Sequence, residues 1–254
     1  TMAVSYQEPI HYKNAAGEWV DYDNSLKNET VNSASPDEVT EEYTNKKSDF
    51  KVNYSKKSKE NSMVKIKGDN QKISWGYKDT NKVKSTIVNN DEKLTGNDKF
   101  TTLKNLTSEI TYENIYDDVD VQYFTTTTGV KENIILKNKN ARSDFYIQYK
   151  FNNLTAKSVD DKTVELLNSK GDAVYKIEAP FMFDNDGKTS TDLTLSITEQ
   201  KKNKLTLKVS ADKKFLSDCS YPVTIDPQFT TSQNWQKSQC TYVDSSKPST
   251  CFGY

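Results

Sequence analysis

The stretch from residue 111 to residue 138, TYENIYDDVDVQYFTTTTGVKENIILKN, decides the fold class. Apolar side chains occupy every second position from Val119 to Tyr123, which is the period of a β-strand with one buried face. The segment TTTTG then reads as a turn, and in the return strand Glu132 shares a face with Ile134. The stretch therefore predicts an antiparallel hairpin whose two faces differ in polarity.

The same hairpin carries a cluster of carboxylates. If the strand covers residues 118–124, Asp118 and Asp120 lie on its solvent face, about 7 Å apart. Three interpretations remain open: an ordinary wet face of a sheet, an oxygen-rich calcium site, and the acid pair of a polysaccharide hydrolase. The strand period favours the wet face. A second acidic run, from Asp184 to Gly187, reads as a hairpin turn because Leu195 stands where a calcium loop would need glutamate.

Alternating runs closed by turn residues continue along most of the chain, whereas the segment ADKKFLSD is the one short helical turn. We predict an all-β fold of antiparallel, sandwich-like sheets, with two β subdomains and little helix. The polar stretches 23–48 and 79–105 show no period and read as long loops. The predicted units are 1–104, an N-terminal β subdomain; 105–227, a second β subdomain that ends at YPVTIDP; and 228–254, a linker and the start of a further domain.

Composition excludes several functions. The chain has 254 residues, with 35 Lys and Arg against 36 Asp and Glu, so a net charge of −1 gives no reason to expect a dedicated nucleic-acid reader. Arg142 is the only arginine, and His11, read as a strand residue near the surface, is the only histidine. A His-based triad or a zinc site with several imidazoles is therefore not expected, nor is any cofactor. No apolar run reaches about 18 residues, so we expect no membrane insertion.

A few residues are candidates for binding or cross-linking. Trp19 and Trp75 read as core residues, whereas Trp235 lies in a polar segment and is the one expected to contact a ligand. Exposed lysines that could bind heparin or DNA are Lys56, Lys57 and Lys59, although lysines also protect sheet edges from pairing. Cys240 and Cys251 bracket a short loop and could form a disulfide in an oxidising compartment.

Four phrases go beyond periodicity: VSYQEPIHYKNAAGEWVDYDNSL, TYENIYDDVDVQYFTTTTGVKENIILK, IEAPFMFDNDGK and YPVTIDP. In this order they resemble the N-terminal region of large Gram-positive wall-associated surface proteins with YD (Rhs-type) repeats, and of related adhesins. The final residues resemble the start of a DNRLRE-type β domain, a class linked to carbohydrate binding. The resemblance implies a secreted protein held at the cell wall or cell surface, and it assigns no catalytic residue.

These observations together predict a non-enzymatic module of a bacterial surface adhesin. Its expected partners are host or environmental surface ligands: a glycan, an extracellular-matrix protein, or a polyanion. Two alternatives remain: a structural spacer that shields a large repeat protein and binds nothing, and a polysaccharide hydrolase that uses Asp118 and Asp120.

Overall fold

Two large antiparallel sheets make up most of the part of the chain that the structure describes. This computed structural model describes residues 3–4, 9–32, 39–67, 72–89, 105–160, 162–231, 242–244 and 247–252. Within these ranges the helical element is α1 (Lys213–Ser217), at the predicted position, and no helix there is long and apolar enough to cross a bilayer. The prediction of an all-β fold with antiparallel sheets is confirmed.

The first sheet has eight strands, in the spatial order β18-β19-β13-β8-β7-β6-β5-β4. Its members are β4 (Asp23–Asn32), β5 (Val39–Lys47), β6 (Lys51–Ser55), β7 (Val64–Lys67), β8 (Lys72–Tyr77), β13 (Asp144–Phe151), β18 (Leu193–Lys201) and β19 (Lys204–Ala211). The edges of this sheet are therefore β18 and β4, and β6, β7 and β8 are internal strands.

The second sheet has nine strands, in the order β14-β15-β16-β20-β12-β11-β10-β9, with β17 paired to β16. Its members are β9 (Ser85–Asn89), β10 (Ser108–Tyr116), β11 (Val119–Thr125), β12 (Gly129–Leu136), β14 (Thr155–Ser158), β15 (Val164–Leu167), β16 (Ala173–Phe183), β17 (Thr189–Ser190) and β20 (Val223–Thr231). The hairpin predicted from residues 111–138 is its β11–β12 pair, with Tyr123 directly opposite Glu132.

Two small sheets complete the described elements. The pair β2 (His11–Lys13) and β3 (Trp19–Asp21) is the predicted N-terminal hairpin, and Gly17 in its turn has the positive φ of 80° that the turn requires. The other small sheet contains β1 (Ala3–Val4), β21 (Tyr242–Asp244) and β22 (Lys247–Phe252).

The large sheets pack face to face through aromatic side chains. Trp75 of the eight-stranded sheet stacks on Phe229 of the nine-stranded sheet, with ring centroids 4.7 Å apart, and Tyr54 lies 6.0 Å from Tyr123. Hydrogen bonds cross the same interface: the hydroxyls of Tyr54 and Thr125 are 2.8 Å apart, and Tyr112 donates to the carbonyl of Ser55 at 2.5 Å. The core is therefore the space between the two sheets, as in a β-sandwich.

Two of the loop predictions are wrong. The polar stretch 23–48 contains the two paired strands β4 and β5, and the stretch 79–105 contains the edge strand β9. Both sheets also contain strands from before and after residue 105, so the predicted boundary at 104 does not coincide with a boundary between sheets. These strands escape periodicity because they lie at or near sheet edges, and because most of the side chains that β4 and β5 bury are polar, such as Asn24, Thr44 and Asn45.

Candidate functional site

The β11–β12 hairpin carries no solvent-facing pair of carboxylates on one strand. Asp118 lies in the turn before β11, with a positive φ of 61° that aspartate tolerates, so the strand begins at Val119 rather than at residue 118. Asp120 lies in β11, where Lys137 forms an ion pair with it at 2.8 Å and the backbone N–H of Asn114 donates to it at 2.6 Å. Across the described ranges no group of three or more His, Cys, Asp or Glu residues could hold a metal ion.

The unusual acidic residue of this hairpin is not the predicted pair Asp118 and Asp120. It is Glu132, whose carboxyl group lies inside the core. Glu132 faces inward from β12 and is 4 % exposed, and the hydroxyl of Tyr77 donates to its Oε1 at 2.8 Å. Burial raises the pKa of Glu132 to about 7, against the opposing influence of Tyr123, Tyr77 and Trp75. Of these three residues, Tyr77 is the one whose hydrogen bond to Glu132 has standard geometry. The hydroxyl of Tyr123 and the indole nitrogen of Trp75 do not reach that geometry.

Glu132 has the proton affinity of a general acid or base but not the access that catalysis needs. It lies under two packed sheets, among side chains that are themselves buried. No macromolecule can reach its oxygens without opening the sandwich. We therefore assign Glu132 to the interior of the fold.

His11 is also placed away from solvent, which corrects the expectation of a surface residue. Its side chain is 1 % exposed, and its Nε2 lies 2.9 Å from Oδ1 of Asp21, the residue directly opposite it in the β2–β3 hairpin. The contact has the distance of an ion pair without the geometry of a hydrogen bond. The buried side chain of His11 is therefore not presented to a substrate.

The outer face of the eight-stranded sheet carries a charged groove of about 760 Å³. We define the lysine face as the five lysines that line this groove, Lys51, Lys65, Lys67, Lys72 and Lys150. They project from β6, β7, β8 and β13, at positions that alternate with buried residues such as Val52 and Ile66. The strand period thus places every one of them opposite the core.

Carboxylates compensate only part of this charge. Lys51 pairs with Glu29 and Lys65 pairs with Glu42, whose side chain is 2 % exposed. Burial tends to raise the pKa of Glu29, but hydrogen bonds from Lys51 and Asn53 outweigh it and hold that pKa below its usual range. The five lysines and two carboxylates of the groove leave three positive charges in excess.

The lysines singled out from the sequence lie outside this groove. Lys56 forms an ion pair with Glu41 at 2.7 Å and lies over the ring of Tyr43, so its charge is already engaged. Lys57 forms a β-bridge with Lys84. The backbone carbonyl of Lys59 packs so closely on Gly76 of β8 that a Cβ there would lie 2.3 Å away, which explains a glycine within a strand.

The remaining sequence candidates divide in three ways. Trp235 and Cys240 lie outside the described residues, and for Cys251 the structure describes only the backbone, in β22, so the ligand contact and the disulfide stay predictions. Trp75 is a core residue as predicted, at 1 % exposure. Trp19 is not: it is 41 % exposed, and the amino group of Lys13 lies 5.1 Å from its ring centroid.

The chain is similar to three curated proteins, each 27 % identical to it over 255 residues. They are named tRNA nuclease WapA in Bacillus subtilis strain 168, tRNA(Glu)-specific nuclease WapA in Bacillus subtilis subsp. natto, and tRNA3(Ser)-specific nuclease WapA in Bacillus spizizenii. The matches cover 96 % of this chain and 10 % of each relative, so the chain spans about a tenth of the length of these relatives. No protein-family profile and no solved structure matches it.

These relatives overturn the functional expectations drawn from the sequence. Proteins named as tRNA nucleases contradict the resemblance to YD-repeat and DNRLRE-type adhesin regions, and they contradict a non-enzymatic module that binds glycans, matrix proteins, heparin or DNA. They support neither a spacer nor a polysaccharide hydrolase. Secretion to the cell wall or surface stays a prediction.

Two physical reasons explain these errors. The quoted phrases contain general features of β-structure: DNDG is a turn closed by the Asp184 side chain, and YPVTIDP covers the start of β20. Such features recur in β proteins of many functions. Net charge is likewise a property of the whole chain, and it cannot show that lysines gather on one face of a sheet.

Proposed function

We propose that this chain is part of a larger tRNA nuclease and that tRNA is the class of molecule it contacts. The observation that carries the proposal is the similarity over 96 % of the chain to three proteins named as tRNA nucleases. The lysine face supports it, since lysine ammonium groups are suited to neutralising phosphates.

The differences among the relatives' names sharpen this proposal. One name gives tRNA without further detail, one gives tRNA(Glu) and one gives tRNA3(Ser), yet this chain matches all three at the same identity and over the same length. A region that is common to nucleases named for different tRNAs is best suited to recognising a feature that all tRNAs share. We therefore expect this chain to contact tRNA without choosing between tRNAs.

The test is cleavage of tRNA by the full-length protein. Total bacterial tRNA is incubated with the purified protein, and the products are separated on a denaturing gel and mapped by sequencing. We expect cuts in one or more tRNA species and none in a duplex DNA of equal length. Intact tRNA, under conditions in which a WapA nuclease of Bacillus subtilis cleaves it, would overturn the proposal.

A further inference from the structure

We infer that the lysine face is a docking surface for the sugar-phosphate backbone of tRNA. The inference rests on the proposed function and adds a surface, a mode of contact and the residues responsible. Its starting point is the register of the strands. Lys51 lies directly opposite Lys67, and Lys67 lies directly opposite Lys72, so three lysines form one row across three neighbouring strands.

Such a row has a cost for the folded chain. Glu29 compensates Lys51, but Lys67 and Lys72 lie opposite each other on strands about 4.8 Å apart, which is within the Debye length of about 8 Å at physiological salt, so salt screens their repulsion only in part. Like charges that lie directly opposite each other destabilise a sheet. A second row repeats the arrangement, because Lys150 of β13 lies directly opposite Lys204 of β19.

The usual structural use of such lysines does not apply to the first row. Lysines on an edge strand prevent pairing with another chain. The edges of this sheet are β18 and β4, whereas the first row lies on β6, β7 and β8, all with a partner on both sides. A ligand with regularly spaced negative charge accounts for the row where edge protection does not.

Three lysines of the face are available to such a ligand. Lys67, Lys72 and Lys150 are exposed and form no ion pair with a carboxylate in the described ranges, whereas Lys51 and Lys65 do. They line the groove together with Asn152, whose side chain accepts a hydrogen bond from the backbone N–H of Lys72 at 2.6 Å. This contact holds the loop after β13 against the start of β8.

The chemistry of the groove indicates contact with the backbone rather than reading of bases. Lysine offers a flexible point charge and lacks the planar fork by which arginine binds guanine edges. Sequence-specific recognition of RNA also needs ring faces on which unstacked bases can lie. The aromatic residue that lines the groove is Phe151, and it is 6 % exposed. This agrees with a region that contacts any tRNA.

The experiment measures the binding of fluorescently labelled total tRNA to the 254-residue chain between 50 and 200 mM salt. For three phosphate contacts we expect the logarithm of the association constant to fall with the logarithm of salt concentration with a slope of about −2 to −3. The triple variant K67Q, K72Q and K150Q should bind at least about tenfold more weakly at low salt, with a slope near zero. The matched control is K82Q, K139Q and K157Q, which removes three exposed lysines outside the groove.

Each outcome decides the inference. Loss of binding in the groove variant alone, with an unchanged circular dichroism spectrum, supports it. Equal loss in both variants overturns it, because the effect is then one of total charge, and equal binding of polyaspartate by the native chain overturns the assignment to RNA. If the full-length protein cleaves tRNA but both triple variants bind like the native chain, the surface is wrong and the proposed function stands. If the chain binds tRNA through the groove but the full-length protein cleaves none, only the proposed function fails.

Discussion

A carboxyl group sealed inside a sheet sandwich titrates far from its ordinary range, and for Glu132 this has a measurable consequence. Its pKa in the folded chain is about 7, above the ordinary value of 4.5. Between these two values the folded state holds a proton that the unfolded state has lost, so stability falls as pH rises through this window. The shift corresponds to a stability change on the order of 3 kcal/mol between pH 4.5 and pH 8.

The variant E132Q removes this titration and keeps an oxygen that can accept from Tyr77. We expect the free energy of unfolding of E132Q to vary less between pH 5 and pH 8 than that of the native chain, by about 2 to 3 kcal/mol. Urea unfolding at several pH values measures it. Asp226 also has a pKa raised by burial, which Lys131 opposes, and it contributes equally to both proteins, so the difference isolates Glu132. Parallel pH profiles would contradict the assignment of a buried, titrating carboxyl.

At the scale of elements, the hairpin β4–β5 is held by buried polar groups where other strands use apolar ones. The side-chain nitrogen of Asn45 donates to the carbonyl of Phe50 at 3.1 Å and to Oδ1 of Asn24 at 3.3 Å, and the backbone N–H of Val52 donates to Oδ1 of Asn45 at 3.1 Å. One side chain thus connects β4, β5 and β6. Because Asn45 is 6 % exposed, water cannot replace these bonds.

The variant N45A should therefore destabilise the chain by about 1 to 3 kcal/mol, since it leaves buried backbone groups without partners. We expect the loss to concentrate at the edge of the sheet, with faster amide hydrogen exchange in β4 and β5 than in β13. The control is N28A, which removes an exposed asparagine from the same hairpin. Equal exchange rates in the two variants would show that Asn45 does not hold the hairpin.

The same hairpin shows which elements a sequence can reveal. Strands such as β8 and β11 alternate strictly because one face is buried, and both were predicted. β4 and β5 were read as loops because their ladder is stabilised by backbone pairing and by groups such as Asn45, which leave no apolar period.

The lysine face was missed for a different reason. Each of its lysines is visible as an outward residue, but Lys150 comes to line the same groove as Lys72 only through a pairing between β8 and β13 that no local pattern specifies.

At the scale of the whole molecule, the chain passes repeatedly between the two sheets. The eight-stranded sheet takes five strands from before residue 105 and three from after it, and the nine-stranded sheet takes β9 from before it. The groove lined by the lysine face inherits this arrangement, because Lys67 and Lys150, which both line it, come from opposite sides of the same division. Formation of the groove is therefore coupled to formation of the sandwich.

This coupling predicts that fragments 1–104 and 105–254 do not fold alone. The first keeps the run from β4 to β8 but exposes Trp75 and Tyr54, which pack on the other sheet in the intact chain. Burial of such aromatic residues supplies much of the stability of a core, at about 25 cal/mol for each Å² of apolar surface. We expect neither fragment to show a cooperative thermal transition, and we expect an equimolar mixture to recover the near-ultraviolet circular dichroism of the intact chain in part, together with tRNA binding. A fragment 105–254 that melts cooperatively alone would instead establish an independent second subdomain, and the groove would then lie on an interface between two units.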